Sequence, residues 1–320
     1  MMSISQEIKD FAIKKSGMTM VGIAPVERFS DAPEGKRPED LLPGAKSVIV
    51  LGVRLLDGAM QAIFRKFEEG KRNAHGIYAT YASTIAPNLQ MAQAVLALSD
   101  FIERKTGEVA VPTTSGPFQA TSSFSQRRAA VAAGLGEMSW CGAVVNDKYG
   151  PRMFFGSIIT TLELEYDDMY NGPKLCDPTK CRICVDRCPV HAIPEYPNGV
   201  ETQIGDKKVI YGRLNRPLCN AARFGLVKET ANIASAYAID RREDLVDVNC
   251  VTEEEFYRGI SKMEKSLSGL QFYQNWKCSL CLAYCPLGNW KERFEDTGLS
   301  KGDYGTNVKQ TEYVQKVSLT

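Results

Sequence analysis

Ile8, Phe11 and Ala12 recur at helical spacing near the start of the chain, and Gly17 follows where such a helix would stop. Met20–Val26 is a short apolar run and predicts a strand. Asp31–Pro43 mixes proline, glycine and charge and predicts a loop. Ser47–Leu56 holds three valines and an isoleucine, which suits a buried strand. Gly58–Gly70 predicts a helix. Met91, Val95, Leu98 and Ile102 stripe a longer one, capped at Asn88 and running through Lys105, with Gly107 just past it. Val109–Pro112 reads as a short strand entering a Ser/Thr-rich loop, Thr113–Ser125. Gln126–Ala133 reads as a helix stopped at Gly134 and Gly136. Ala143–Asn146 and Met153–Thr161 read as strands flanking the turn Tyr149-Gly-Pro-Arg152. Beyond them come a turn-rich piece at Gly205-Asp206, helices near Leu226–Ala236 and Glu253–Leu267, and a polar, charged end.

This order divides the 320 residues into an α/β domain over 1–172, a second domain over 173–292 and a tail over 293–320. A formal charge of +1 argues against a broad basic field for nucleic acid, so nucleic acid is not expected as a partner. No apolar run is long enough to span a bilayer. The opening residues lack the regions of a signal peptide and carry no twin arginine, so a cytoplasmic, reducing location is expected.

The cysteines change the picture most. There are ten. Cys176, Cys181, Cys184 and Cys188, then Pro189, form one run; Cys278, Cys281 and Cys285, then Pro286, form another. Two Cys-x2-Cys-x3-Cys-Pro runs in one chain mark a two-cluster ferredoxin-type module. In such a run the cysteine before proline ligates the other cluster. Cys176, Cys181 and Cys184 would therefore share one [4Fe–4S] cluster with Cys285, and Cys188 would join Cys278 and Cys281 on a second. That second cluster lacks a thiolate. Cys219, between the runs, is the first choice and Cys250 the reserve; both also read as small buried apolar residues. Disulfides do not suit the expected compartment, and zinc takes separate Cys-x2-Cys pairs or adds histidine.

Together with three further segments, these runs resemble the corrinoid-linked iron–sulfur reductases, the family that includes epoxyqueuosine reductase and the reductive dehalogenases. The segments are Ala132-Ala-Gly-Leu-Gly136 leading into Lys148-Tyr-Gly-Pro-Arg152, the opening Ile8–Val53, and the stretch holding Cys219. The resemblance implies an α+β fold, with a mixed α/β, nitroreductase-like corrinoid-binding domain followed by a ferredoxin-like domain with two [4Fe–4S] clusters. It implies cobalamin with its lower base detached and no histidine on cobalt. The histidines, His75 and His191, sit in no corrinoid-ligating motif. Ser125, Gly134, Gly136, Cys141, Gly142, Tyr149 and Gly150 are the candidates to face that cofactor, the glycines for close backbone approach to a large ring. Family dehalogenases use a tyrosine beside a basic residue as proton donor. Tyr78 and Tyr81 are candidates here, with Arg127, Arg128 or Arg152 as the basic partner, although each also reads as ordinary packing or a surface pair. Arg152, in its fixed turn, could instead meet a corrinoid side chain or a substrate anion.

The chain also departs from the family. Ser139 stands where members commonly have glycine, and Thr113–Ser125 contains no acidic proton donor. With no basic patch for tRNA, the expectation is a cytoplasmic reductase that cleaves a carbon–halogen or carbon–oxygen bond in a small-molecule substrate. Its electrons would come from a ferredoxin- or flavodoxin-type donor. An electron-transfer protein without its own corrinoid is the alternative, and a tRNA epoxyqueuosine reductase ranks below both.

Overall fold

The computed structural model describes residues 2–69, 76–114, 124–223, 226–227, 252–254, 258 and 278–288. Among them the strands are Met20–Pro25 (β1), Ser47–Arg54 (β2), Ala110–Thr114 (β3), Glu137–Met138 (β4), Val144–Val145 (β5), Met153–Thr160 (β6), Val200–Ile204 (β7) and Lys207–Tyr211 (β8). Four of them form an antiparallel sheet in the order β1-β2-β6-β3.

The sheet explains the unbroken apolar run of β2. Ile49, Leu51 and Val53 enter one core, while Val48 and Val50 enter another on the opposite face. Pairing of Val50 with Ser157 and of Leu51 with Gly156 fixes the register. A slip of one residue would send each set to the wrong face. On the first face lie the helices Ile4–Lys14, Asp57–Glu69 and Met91–Thr106. Burying one such isoleucine or leucine contributes about 1.5–3 kcal/mol. The last helix comes so close that a Cβ on Gly156 would lie 2.7 Å from Met91 Cγ. On the second face the helix Gln126–Ala132 packs through Ala129, Ala130 and Ala132, small enough to bring its backbone near the strands.

Two local readings are corrected and a third is made specific. Asp31–Pro43 contains one helical turn, Pro38–Leu41, because Asp40 accepts the Arg37 N–H at 2.9 Å and closes it. Asn88 caps nothing. It is buried inside a helical run that has begun by Tyr78 and is π-helical through Gln90, with Met91 N–H bonded five residues back to Ala86. Pro87 brings no N–H to an α ladder, and the wider turn accommodates that. Gly205-Asp206 is the two-residue connection of a hairpin, with Gly205 at φ +58° and β7 paired to β8.

A third core collects Val185, Cys188, Val190, Ala192, Ile193, Leu218, Ala221 and Ala222 from the second half of the chain around Trp140 from the first. The helix placed near Leu226–Ala236, the one near Glu253–Leu267, the 293–320 tail, and His75, Cys250 and Trp290 lie wholly or largely outside the described residues. No helix among the described residues is long and apolar enough to cross a membrane.

Candidate functional site

Cys141, Cys176, Cys184, Cys219 and Cys281 pack against the third core around buried Cys188, and none of them is in a disulfide. Were they ionised, the thiols would raise one another's pKa in two groups. Cys181 acts on Cys176, Cys176 and Cys181 on Cys184, and Cys176 on Cys285. In the other group Cys188 acts on Cys219, Cys188 and Cys219 on Cys278, and Cys219 and Cys278 on Cys281. Cys141 lies between the groups. Its thiol is hydrogen-bonded with Cys184 and Cys281 and stands 3.3 Å from Ser139 Oγ. These bonds hold its pKa well below the usual thiol range. Burial drives four others up: Cys176 and Cys219 to about 11, Cys278 and Cys285 to about 12.

Among the described residues no three His, Cys, Asp or Glu side chains converge on a single-ion site. A cubane separates its four ligands further than one ion does, and backbone N–H groups commonly donate to its sulfurs. Such donors are present. Trp140 N–H points at Cys176 Sγ at 3.3 Å and Ala192 N–H at Cys188 Sγ at 3.2 Å. Leu280 and Leu287 N–H serve Cys278 and Cys285. This donor set fits iron–sulfur ligation better than a mononuclear metal.

Several residues that frame the thiols carry no sequence signal. Glu137 accepts the N–H groups of Leu175 and Cys176 at 2.6 and 2.7 Å, fastening the first run to β4. Trp140, buried, donates its indole N–H to Pro194 at 2.8 Å, and Gly199 and Gly212 press on its ring. Arg187 of the first run lies over the ring of Tyr284 in the second, 4.2 Å from its centroid, and Phe64 meets the same ring edge-on.

The residues singled out as catalytic or cofactor-facing have protein partners. Arg152 is 3 % exposed and donates to the carbonyls of Leu282 at 3.2 Å, Cys285 at 2.9 Å and Leu287. Tyr78 is fully buried beside Ser279, Arg223, Cys278 and Cys281, and burial pushes its phenol pKa up rather than down. Tyr81 is 54 % exposed. Arg127 donates to Gly142 O at 2.7 Å, and Arg128 to Thr202 Oγ1 and Gln203 O, both at 2.6 Å, so these arginines bind the Cys141 loop and the hairpin. Ser125 caps the helix Gln126–Ala132 by accepting the Arg128 N–H. Tyr149 donates its N–H to the Asn146 side chain at 2.7 Å.

The glycines approach protein. A side chain on Gly134, at φ +76°, would run into the Asp168 carbonyl; on Gly136, at φ +153°, into that of Val145; on Gly150, at φ +55°, into that of Leu287. Gly142 lies against Arg127 and Tyr211. Room for a large ring is therefore not what these positions show. His191 is exposed at φ +51° in a turn that follows Cys188.

No protein-family model matches the chain. Two curated proteins named epoxyqueuosine reductase do: one from Staphylococcus aureus, 29% identical over 51% of this chain and 40% of that one, and one from Synechocystis sp., 25% identical over 51% of each. The resemblance to the corrinoid-linked iron–sulfur reductases holds. The chain spans about half, or less, of the length of these relatives. Solved structures include an epoxyqueuosine reductase with an epoxyqueuosine-modified tRNA stem loop, at 17% identity and TM-score 0.49, covering 89% of this chain and 65% of that one. A catabolic reductive dehalogenase matches at 16% identity and TM-score 0.48, covering 89% and 35%.

The curated relatives correct two expectations. Reductive cleavage of a small substrate was ranked first and epoxyqueuosine reduction last, yet both relatives are named for epoxyqueuosine. The exclusion of nucleic acid from the partners is corrected with it, on the same two names. Formal charge misled because it counts the whole surface, whereas recognition of a modified base needs only local contacts.

Proposed function

We propose that this chain is an iron–sulfur oxidoreductase of the epoxyqueuosine reductase kind, acting on epoxyqueuosine carried in tRNA. The observation that carries the reading is the meeting of both cysteine runs with Cys219 in one region of a chain whose curated relatives bear that name. Cys176, Cys181, Cys184 and Cys285 would hold one [4Fe–4S] cluster, and Cys188, Cys219, Cys278 and Cys281 the other. When bound, the clusters supply single electrons in succession. Loss of an epoxide oxygen as water consumes two electrons and two protons, so one-electron carriers in a pair suit the reaction. The chain's part is to hold and tune them. Trp140, Ala192, Leu280 and Leu287 direct N–H groups at ligand sulfurs, Glu137 fastens the first run, and the surrounding apolar core keeps water from the thiolates.

The resemblance also implies a corrinoid. Gly134, Gly136 and Gly150 face backbone carbonyls and Arg152 faces three more, so these residues do not fit it, and the reading rests on the thiols alone.

The test is anaerobic reconstitution with iron and sulfide, chemical reduction, and incubation with an epoxyqueuosine-modified tRNA stem loop. Nucleoside analysis should show the loss of one oxygen. Full iron loading with the modified base unchanged, both with and without added cobalamin, sinks the substrate assignment, and failure to take up iron sinks the iron–sulfur reading.

A further inference from the structure

We infer that Arg152 is a positioning residue for the cluster held by Cys285, fixing the second cysteine run onto the first half of the chain and placing a permanent positive charge beside that cluster. The inference rests on the reading of the thiols as cluster ligands.

Arg152 is anchored from behind. Its carbonyl accepts the Leu55 N–H at 2.9 Å at the end of β2, and its N–H reaches Tyr149 O at 3.2 Å. Its guanidinium then spans the bend that separates the last two ligands of the second run, Cys281 and Cys285. One nitrogen serves Leu282, directly after Cys281, and Cys285 itself; another serves Leu287. The backbones interlock around it. A Cβ on Gly288, at φ +85°, would lie 2.6 Å from Gly150 N, and one on Gly150 would meet Leu287 O. Neither glycine can be replaced without moving the bend. Carbonyl dipoles solvate the guanidinium but do not cancel its charge. A cluster gains one negative charge on reduction, and a fixed cation next to its ligand favours the reduced form. Lysine would keep the charge without the planar fork that reaches several carbonyls at once.

The experiment compares wild type, Arg152→Gln and Arg152→Lys as full chains reconstituted with iron and sulfide. It measures iron per chain and both cluster midpoints by redox titration followed by electron paramagnetic resonance. Arg152→Gln should make reduction of one cluster about tenfold less favourable, a shift of ~59 mV for a one-electron step, and leave the other cluster unmoved. Arg152→Lys should recover most of that shift. Two clusters in Arg152→Gln with both midpoints at wild-type values overturn the inference. If the glutamine variant does not fold, lysine decides: cluster loss on dilution should be several-fold faster than in wild type, and unchanged loss overturns the fork's role. A wild-type chain that takes up no iron would instead overturn the underlying reading.

Discussion

A buried thiol is a neutral group that resists ionisation, and this gives the cluster-free protein a defined pH response. Cys176, Cys219, Cys278 and Cys285 have pKa values raised by burial from 9.0 to between about 11 and 12. Raised folded values favour the folded state below the unfolded thiol pKa, and that advantage is lost as pH climbs through the folded values. The melting temperature of cluster-free protein should therefore fall between pH 8 and pH 11, with Cys141, whose pKa is lowered, opposing only as one thiol. A flat profile would mean that these thiols are solvated. Substitution of Cys219 tests its place directly: Cys219→Ser should lose about half of the reconstituted iron, since a [4Fe–4S] cluster with three thiolates is labile. The cysteine runs stand out in the sequence because ligand spacing is local. The work of Arg152 was not, because its partners lie 130 to 135 residues away and only the folded chain brings them near.

Elements whose pattern is self-contained were readable. Continuous apolar runs gave β1, β2 and β6, and Gly107, in the left-handed conformation at φ +78°, closes its helix where expected. Asn88 misled because an N-cap residue and a residue buried inside a helix look alike when the preceding turns are rich in alanine and small hydroxyl residues. The segment 134–136 misled in another sense, since a glycine needed against neighbouring backbone is indistinguishable in sequence from one needed against a ligand. Gly134→Ala should accordingly destabilise the fold itself, by about 3 kcal/mol, because it combines a strained left-handed conformation with a collision against Asp168 O. Urea unfolding of the cluster-free chain measures this. A neutral outcome would return the position to a ligand-facing role.

Across the whole molecule, the helix Gln126–Ala132 is the joint. Its inner face lies on the sheet while Arg128 grips the hairpin and Arg127 the Cys141 loop. Arg128→Ala should cost about 2 kcal/mol and speed amide exchange in β7 and β8 while leaving β2 and β6 protected. Equal acceleration in both sheets would refute the joint. At this scale sequence reasoning ranked the substrate wrongly, because net charge is a global sum and substrate choice is settled by a few groups at one place.

The bend that carries Cys285 is seated on a turn made more than a hundred residues earlier. During synthesis the N-terminal part folds first. The ribosome therefore delivers the receptor formed by Gly150 and Arg152 well before the segment that plugs into it. The second cysteine run arrives at a finished socket, and any cluster that needs Cys285 waits for a segment made more than a hundred residues after that socket.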